Sequence, residues 1–316
     1  MVALEANKTD PSLSTYYGRG NPVFGRVVTA MVTPFKPNNP KEVDYTVAEQ
    51  LAVHLAKNGS DALVIGGTTG ESPTLTWSEQ YELFKVVKQA VGSSVKVIAG
   101  AGSNSTDEAI EATIRADKMG LDGTLQVVPY YNKPPQEGLY QHFKAVAECA
   151  PDLPVMLYNI PGRTGINMSA EMTARLAKIP NIIATKEASG DIDQFVEIRR
   201  LTDPEFAMYS GDDAIALPLC SVGATGVVSV ASHIVGNEIH KMIELFFEGH
   251  VSEALDIHLK HAGLFRDLFC MANPIPTKAA LRLLGWNVGP PRLPLTDATD
   301  ECTEIITNHL KSLSLL

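Results

Sequence analysis

The stretch Asn181-Ile182-Ile183-Ala184-Thr185-Lys186-Glu187 decides how the rest of the chain is interpreted. Its apolar, β-branched beginning is typical of a strand that is buried on both faces of a parallel sheet. Lys186 then stands at the carboxyl end of that strand, where α/β folds place their reactive groups. Apolar surroundings disfavour the charged ammonium, and a neutral amine can attack a ketone to form a Schiff base. The alternative is a surface lysine paired with Glu187, which this stretch alone favours.

Similar strand patterns recur along the chain and alternate with helical patterns. The predicted strands lie at residues 27–32, 62–66, 95–99, 123–128, 155–158, 182–186, 206–209 and 226–230. Helical patterns separate them at residues 43–57, 78–91, 105–119, 139–149, 170–179, 192–201 and 213–221. Ser78 and Ser169 are two predicted N-caps. Eight such units within about 200–250 residues predict a closed (β/α)8 TIM barrel, with an open doubly wound sheet as the alternative.

Two terminal regions flank the alternating part of the chain. Residues 1–24 are polar and contain proline and glycine, so we expect an N-terminal arm, to which we assign no role. Residues 25–233 should hold the barrel strands and most of the helices. Residues 234–316 contain only helical patterns, at 234–247, 252–269, 277–284 and 297–313. They predict the last barrel helix followed by a C-terminal helical extension.

Composition and charge exclude several classes of protein. The 316 residues are 45% hydrophobic and 20% charged, with a net charge of −10. So acidic a chain lacks a basic footprint, and we predict neither nucleic acid nor a membrane as a partner. No uninterrupted run of about 18 apolar residues predicts a membrane span, and the N-terminus lacks a signal-peptide core. We therefore expect a cytoplasmic protein, with a plastid form whose transit peptide has been removed as the alternative.

The cysteines and histidines do not have the spacing of a metal site. Cys149, Cys220, Cys270 and Cys302 are far apart in the sequence and form no CxxC pair. They predict reduced, mostly buried thiols. No HExxH spacing occurs among the eight histidines, so we expect no metal.

Five polar loops follow predicted strands. They are residues 66–72 (GGTTGES), 129–132 (PYYN), 158–165 (YNIPGRTG), 186–190 (KEASG) and 210–213 (SGDD). In a barrel, the loops at the carboxyl ends of the strands converge on one face. Each loop alone could be a turn, but together the five predict an active site.

Several side chains in these loops have a chemical use. The glycines of residues 66–72 allow a close backbone approach, and the two threonine hydroxyls can bind a carboxylate. This loop is not a P-loop, and residues 100–105 (GAGSNS) match a dinucleotide fingerprint too weakly to predict NAD. Tyr131 and Tyr158 are candidate proton relays, with packing at the rim as the alternative. Arg163 can hold a carboxylate with its bidentate fork, with a solvated arginine or a surface ion pair as the alternatives.

The order of the motifs GTTGES, PYYN, YNIPGRTG, TKEASG and SGDD resembles that of the dihydrodipicolinate synthase family. This family lies within the pyruvate-dependent class I aldolase superfamily of N-acetylneuraminate lyase. The resemblance runs from about Gly25 to the C-terminus. It implies a barrel with C-terminal helices, a homotetramer of two tight dimers, and condensation of pyruvate with L-aspartate-4-semialdehyde in the diaminopimelate route to lysine. The only covalent chemistry implied is a Schiff base on the enzyme's lysine, without a metal or an organic cofactor.

The resemblance assigns catalytic roles to four residues. Lys186 matches the Schiff-base lysine. The implied proton-relay triad is Thr68, Tyr131 and Tyr158, with Tyr131 reaching across the dimer into the neighbouring site.

Four further residues match substrate-binding positions. Thr69 matches the residue that holds the pyruvate carboxylate, and Arg163 matches the group that receives the carboxylate of the second substrate. Gly211 and Val228 match positions that line the pocket. Val228 departs conservatively from the family, which often has isoleucine there.

The resemblance also implies feedback inhibition by L-lysine at the tight-dimer interface. The matching residues are Ser72, Pro73, Trp77, Gln80, Asn104, Glu108 and Tyr130. Glu108 supplies an anion for the ligand's ammonium, whereas Asn104 and the Tyr130 hydroxyl can supply donors for its carboxylate. Trp77 stands where many bacterial members have histidine, and its ring can pack on the aliphatic stem of lysine, with interface packing alone as the alternative. Gln80 also replaces a histidine common in bacterial members, which removes one polar contact.

Two other functions remain open from the sequence. One is a sibling lyase that acts on a sugar acid such as N-acetylneuraminate, although Arg163 and the pair Tyr130-Tyr131 favour a small dicarboxylate product. The other is a non-catalytic barrel that binds a small acid or organises an assembly. The retained lysine and the complete triad argue against it.

Overall fold

The computed structural model describes residues 22–316. The strands are β1 (Val27–Ala30), β2 (Phe35–Lys36), β3 (Asn39–Val43), β4 (Ala62–Ile65), β5 (Lys96–Gly100), β6 (Gly123–Val127), β7 (Val155–Asn159), β8 (Ile182–Glu187), β9 (Ala207–Ser210) and β10 (Gly226–Ser229). The helices are α1 (Tyr45–Lys57), α2 (Trp77–Val91), α3 (Thr106–Lys118), α4 (Gln136–Glu148), α5 (Pro161–Thr164), α6 (Ala170–Leu176), α7 (Ile192–Leu201), α8 (Ala216–Ser221), α9 (Ser232–Glu248), α10 (Val251–Asp267), α11 (Ile275–Leu283) and α12 (Asp300–Ser312).

Eight parallel strands close into a barrel in the order β1-β10-β9-β8-β7-β6-β5-β4. The closure is visible at Val28, which pairs with Ala62 on one side and with Val228 on the other. The structure therefore confirms the predicted (β/α)8 barrel, and the open sheet is wrong. All eight predicted strands are present, with ends that differ by one or two residues.

The barrel interior is filled by side chains from alternate strand positions, as the two-residue period of a strand requires. Its members include Val28, Val64, Ala184 and Val228, all at or below 1% exposure. Phe24, fully buried just before β1, belongs to the same cluster. The interior is therefore a packed core, and space for chemistry exists only at the rim.

Local differences from the sequence-based expectations have local causes. The antiparallel hairpin of β2 and β3 was not predicted, because its strands are short and polar. The N-cap of α2 is Thr76, which forms a capping box with Glu79, so the predicted cap at Ser78 is wrong. Ser169 does cap α6, since its side chain accepts a hydrogen bond from Met172 N.

Two terminal regions flank the barrel strands. Residues 1–21 of the expected N-terminal arm lie outside the described residues. The predicted boundary at residue 234 stays a prediction, and the last barrel helix α9 begins at Ser232. Helices α10, α11 and α12 follow it as the C-terminal extension. Within residues 22–316, no helix is both long and apolar enough to cross a membrane.

The four cysteines are free thiols. Cys220 and Cys302 are buried, Cys149 is half-buried and Cys270 is exposed. The fold brings two of them together despite their separation in the sequence, since the Cys270 and Cys302 sulfurs lie 3.4 Å apart.

His233, near the start of α9, joins the ends of two neighbouring barrel strands. Its Nε2 accepts a hydrogen bond from Val32 N at 3.1 Å, and its Nδ1 lies 2.8 Å from the Val230 carbonyl oxygen. Because Nε2 accepts, the proton sits on Nδ1, which donates to Val230, and the ring is neutral. Burial lowers the pKa of His233 to about 4.

We expect this histidine to make the fold sensitive to acid. Its folded pKa lies below the ordinary value of about 6.5, so the unfolded chain binds the extra proton first and stability falls from about pH 6.5 down to about pH 4. The full loss is on the order of 3 kcal/mol. His233→Gln, which keeps one donor and one acceptor, should reduce the fall in melting temperature over this range but not abolish it, because burial also lowers the pKa of His142 to about 4. His250→Gln, which replaces an exposed histidine, is the control. If the melting temperature falls with acid as steeply in both variants as in the wild type, the role of His233 is contradicted.

Candidate active site

Lys186 lies inside the mouth of the barrel. It follows Ala184 by two positions on β8, so its side chain belongs to the same inward-facing set. The residue is only 6% exposed, and its Nζ stands 4.3 Å from the centre of the Tyr158 ring. No carboxylate among residues 22–316 forms an ion pair with it. The strand register pairs Lys186 with Tyr158 on one side and with Tyr209 on the other.

Glu187 points to the other face of β8 and has partners of its own. Its carboxylate accepts hydrogen bonds from Asn159 Nδ2 at 3.1 and 3.2 Å and from Ser189 N at 2.7 Å. Burial raises the pKa of Glu187. The alternative of a surface lysine paired with Glu187 is therefore wrong, because the alternation of the strand separates the two side chains.

Gly211, directly after β9, borders the lysine, whereas Val228 lies one strand further away on β10. A Cβ added at Gly211 would stand 2.6 Å from Ala188 Cβ and 3.1 Å from Lys186 Cε. Only a glycine therefore leaves the lysine chain its present path. Val228 is 1% exposed on β10, within the cluster that contains Tyr158.

The loop after β4 carries the two predicted threonines. Thr69 is 3% exposed, and its Oγ accepts a hydrogen bond from Asn273 Nδ2 at 2.8 Å. Thr68 is half-buried and lines a cavity of about 250 Å³. The two adjacent threonines therefore differ in their surroundings: Thr69 is buried against Asn273, and Thr68 lines the cavity.

The two tyrosines of the predicted relay differ sharply in burial. Tyr158 is 4% exposed beneath the Lys186 ammonium, whereas Tyr131 is 89% exposed. Tyr131 has a φ of 74°, in the left-handed region, and it projects from the loop after β6. The described chain thus brings Tyr158 to the lysine and leaves Tyr131 almost without packing.

Arg163 lies on the short helix α5 and is exposed. No carboxylate within residues 22–316 pairs with it, so the alternative of an intrachain surface ion pair is not observed. Its guanidinium makes one long hydrogen bond, from Nη2 to the Asn273 carbonyl oxygen at 3.4 Å. Its fork remains available for an anion.

The cavity beside Thr68 also contacts residues from the predicted lysine site. Its lining includes Thr68 and Arg163 from the predicted active site, and Ser72, Pro73 and Tyr130 from the predicted lysine site. The two predicted sites therefore share one space within this chain.

The remaining lysine-site residues lie around α2 and α3. The Trp77 ring stacks on Tyr81 with centroids 5.8 Å apart, and Glu108 Oε2 accepts a hydrogen bond from Ser103 Oγ at 2.7 Å. Asn104 Nδ2 donates to the Tyr130 carbonyl oxygen at 3.2 Å. Gln80 is 4% exposed, and its Oε1 has no partner within the described chain.

Metal ligands are not grouped in the described part of the chain, where no three His, Cys, Asp or Glu side chains stand close enough to hold an ion.

Comparison with known proteins gives the same family as the sequence motifs. The sequence profile of the Dihydrodipicolinate synthetase family matches residues 23–313. The chain belongs to this family. The 4-hydroxy-tetrahydrodipicolinate synthase of Acaryochloris marina is 60% identical over 293 residues, covering 93% of this chain and 99% of that protein. That of a Nostoc species is 58% identical with the same coverage. The crystal structure of dihydrodipicolinate synthase from Cyanidioschyzon merolae with lysine bound is 64% identical, with a TM-score of 0.92 over 93% of this chain and 99% of that chain.

In this family member, two contacts of the C-terminal extension with the active-site loop were not predicted. The Lys278 ammonium lies 2.7 Å from Glu71 Oε1, with both side chains at or below 1% exposure, and Asn273 reaches Thr69. Burial lowers the pKa of Lys278, and the adjacent carboxylate acts in the opposite direction. The available signal was a single lysine within the apolar run of residues 275–281, which is too weak to identify its partner.

Gly211→Ala should slow the reaction of Lys186 with a keto acid by up to about 100-fold, because the added methyl would stand 2.6 Å from Ala188 Cβ and 3.1 Å from Lys186 Cε and must displace the backbone beside the lysine or the lysine chain itself. The measurement is the rate of pyruvate-dependent labelling of Lys186 with borohydride. Gly162→Ala is the matched control, since a methyl there meets no atom within 4 Å. Equal labelling rates in the two variants would show that Gly211 does not hold the lysine in place.

Proposed function

We propose that the chain catalyses the condensation of pyruvate with L-aspartate-4-semialdehyde to 4-hydroxy-tetrahydrodipicolinate, as a lyase of the class I aldolase type. The observation that carries this proposal is Lys186, a buried amine without a carboxylate partner in the described chain, held at the barrel mouth over Tyr158. Because no carboxylate in the described chain pairs with it, the nitrogen at the barrel mouth is available as a nucleophile. The family and the 58–60% identical synthases support the same reaction.

The chemistry follows from an amine and a ketone. Lys186 Nζ attacks C2 of pyruvate, and loss of water gives an imine. Loss of a C3 proton then gives an enamine, whose C3 forms a bond to the aldehyde carbon of the second substrate. The semialdehyde's amine attacks the imine carbon, the ring closes, and the C–N bond to Lys186 breaks to return the free amine. The lysine itself is the electron sink, so the reaction requires no metal or organic cofactor.

Tyr158, Thr68 and Tyr131 are proposed to carry the protons of these steps. Tyr158 is supported by its position against the ammonium, and Thr68 by its place in the cavity. Tyr131 is supported by its exposure and its left-handed backbone, which turn the ring away from its own chain. We infer that it enters the site of a second subunit, within a tight dimer that pairs again into a homotetramer.

The substrate carboxylates are assigned to two groups. Thr69 would donate a hydrogen bond from its hydroxyl to the carboxylate of pyruvate. Arg163 would receive the carboxylate of the semialdehyde through the N–H groups that do not contact Asn273. Gly211 and Val228 would limit the pocket around the imine.

We also propose feedback inhibition by L-lysine at the seven residues named above. The related structure from Cyanidioschyzon merolae, described with lysine bound, supports this proposal. So does the shared cavity, since Ser72, Pro73 and Tyr130 line it together with Thr68. Asn104 holds the Tyr130 backbone beside Tyr131, so an occupied lysine site would disturb the proposed proton relay without closing the entrance for pyruvate.

The cellular location and the partners of the enzyme are also proposals. We place it in the cytoplasm, with a plastid as the alternative, and the four free thiols agree with a reducing compartment. Its partners are small acids, and neither nucleic acid nor a membrane is proposed as one.

Borohydride added with pyruvate should attach one reduced pyruvyl group to Lys186, detectable by peptide mass spectrometry. Lys186→Ala should lose this adduct and all condensation while its melting temperature stays within a few degrees of wild type, because the change removes only the nucleophile. Parallel assays with aspartate-4-semialdehyde and with N-acetylneuraminate test the substrate. Turnover of the sugar acid alone, or an active enzyme without the adduct, would reject the proposal.

Glu108→Ala should raise the lysine concentration for half-inhibition by at least about tenfold, because the ligand's ammonium loses its anion. Trp77→Ala should raise it by about twofold to thirtyfold through the lost ring contact. Glu111→Ala, on the same helix, is the control and should inhibit like wild type. Inhibition that is absent from the wild-type enzyme at millimolar lysine, or unchanged in both variants, would contradict the site.

A further inference from the structure

The loop before α11 enters the active site from outside the barrel. Asn273, 5% exposed, donates from Nδ2 to Thr69 Oγ at 2.8 Å across a sequence separation of 204 positions. Its carbonyl oxygen accepts the hydrogen bond from Arg163 Nη2. One residue of the C-terminal extension therefore touches both groups that are proposed to bind substrate carboxylates.

The direction of the first hydrogen bond has a chemical consequence. A threonine hydroxyl has one proton to donate and two lone pairs that accept, whereas an amide nitrogen can only donate. At this contact Thr69 must accept, so its own proton points elsewhere. Thr69 Oγ makes no other hydrogen bond within the described chain, which leaves that proton for a ligand.

The amide is held in place by its own neighbours. Asn273 Oδ1 accepts a hydrogen bond from Thr277 Oγ at 3.3 Å, so both ends of the amide have a partner. Behind it, the buried pair of Lys278 and Glu71 ties α11 to the loop that carries Thr69. Glu71 Oε2 also accepts a hydrogen bond from Arg292 N at 2.8 Å. The loop and the extension are therefore joined by a buried ion pair and a backbone hydrogen bond.

We propose that Asn273 is a positioning residue that sets the Thr69 hydroxyl as a donor toward the carboxylate of the keto acid. The inference rests on the proposed function, since it assigns Thr69 to pyruvate. It gives the C-terminal extension a part in substrate recognition, because a fixed donor binds a carboxylate better than a freely rotating hydroxyl.

Steady-state kinetics of two Asn273 variants test the polarity of the contact. Asn273→Ala should raise the KM for pyruvate about threefold to tenfold, as expected for one lost hydrogen bond. Asn273→Asp keeps the size but replaces the donor by a charged acceptor. The new carboxylate accepts a hydrogen bond from the Thr69 hydroxyl, which is then no longer free for the substrate, and its charge repels the substrate carboxylate. The KM for pyruvate should therefore rise on the order of 100-fold. Thr307→Val, which removes a hydroxyl that donates to the Thr303 carbonyl oxygen within α12, is the control and should stay within about twofold. If the Ala variant does not fold, the Asp variant, which preserves the packing, carries the test.

A double-mutant cycle separates positioning from general support of the fold. In the Thr69→Val background, Asn273→Ala should add nothing to the KM for pyruvate, because the hydroxyl on which it acts is gone. Additive effects of the two substitutions on the KM for pyruvate would overturn the inference, and so would an unchanged KM in a folded Asn273→Asp variant. In both cases the proposed function would stand as long as the wild-type enzyme turns over and forms the Lys186 adduct. Loss of the adduct in the wild-type enzyme would instead reject the proposed function itself.

Discussion

Closure of the eight-stranded parallel sheet is the constraint on which the rest of the structure depends. Because β1 pairs with both β4 and β10, every strand of the barrel has two neighbouring strands and one face turned to the interior. The two-residue period of a strand then decides the surroundings of each side chain. On β8 it places Lys186 over Tyr158 and turns Glu187 toward Asn159. Two adjacent residues thus acquire different surroundings, one at the proposed reacting centre and one in the supporting wall.

A second constraint comes from charge buried outside the barrel. Lys278 and Glu71 are withdrawn from water, and such a pair is stable only when its hydrogen bonds are satisfied. The lysine also donates to the Pro290 carbonyl oxygen, and the carboxylate also accepts from Arg292 N. These contacts join the extension to the loop of Thr68 and Thr69. The proposed active site is therefore built by the barrel and supported by the helices that follow it.

The proposed inhibitor site and the proposed catalytic site meet at the loops after β4, β5 and β6. Asn104 donates to the Tyr130 carbonyl, and Asn132 Nδ2 donates back to the Asn104 carbonyl at 2.9 Å. These reciprocal contacts couple two loops whose side chains face different ligands. Since Tyr130 and Tyr131 are adjacent in one of these loops, the proposed regulation would need only a short physical path.

The sequence by itself determined the eight strands, the helices between them and the loops to which the chemistry is assigned as a proposal, because strand period, helix period and motif spacing are local properties. It also placed Lys186 at a strand end, although its own stretch favoured a surface lysine. The hairpin of β2 and β3 and the cap at Thr76 were missed where local signals were weak or competing. Only the tertiary structure decided the contacts of Asn273 with Thr69 and of Lys278 with Glu71, which join positions 204 and 207 residues apart. No local pattern specifies such a pair, since each partner's position depends on how the whole barrel closes.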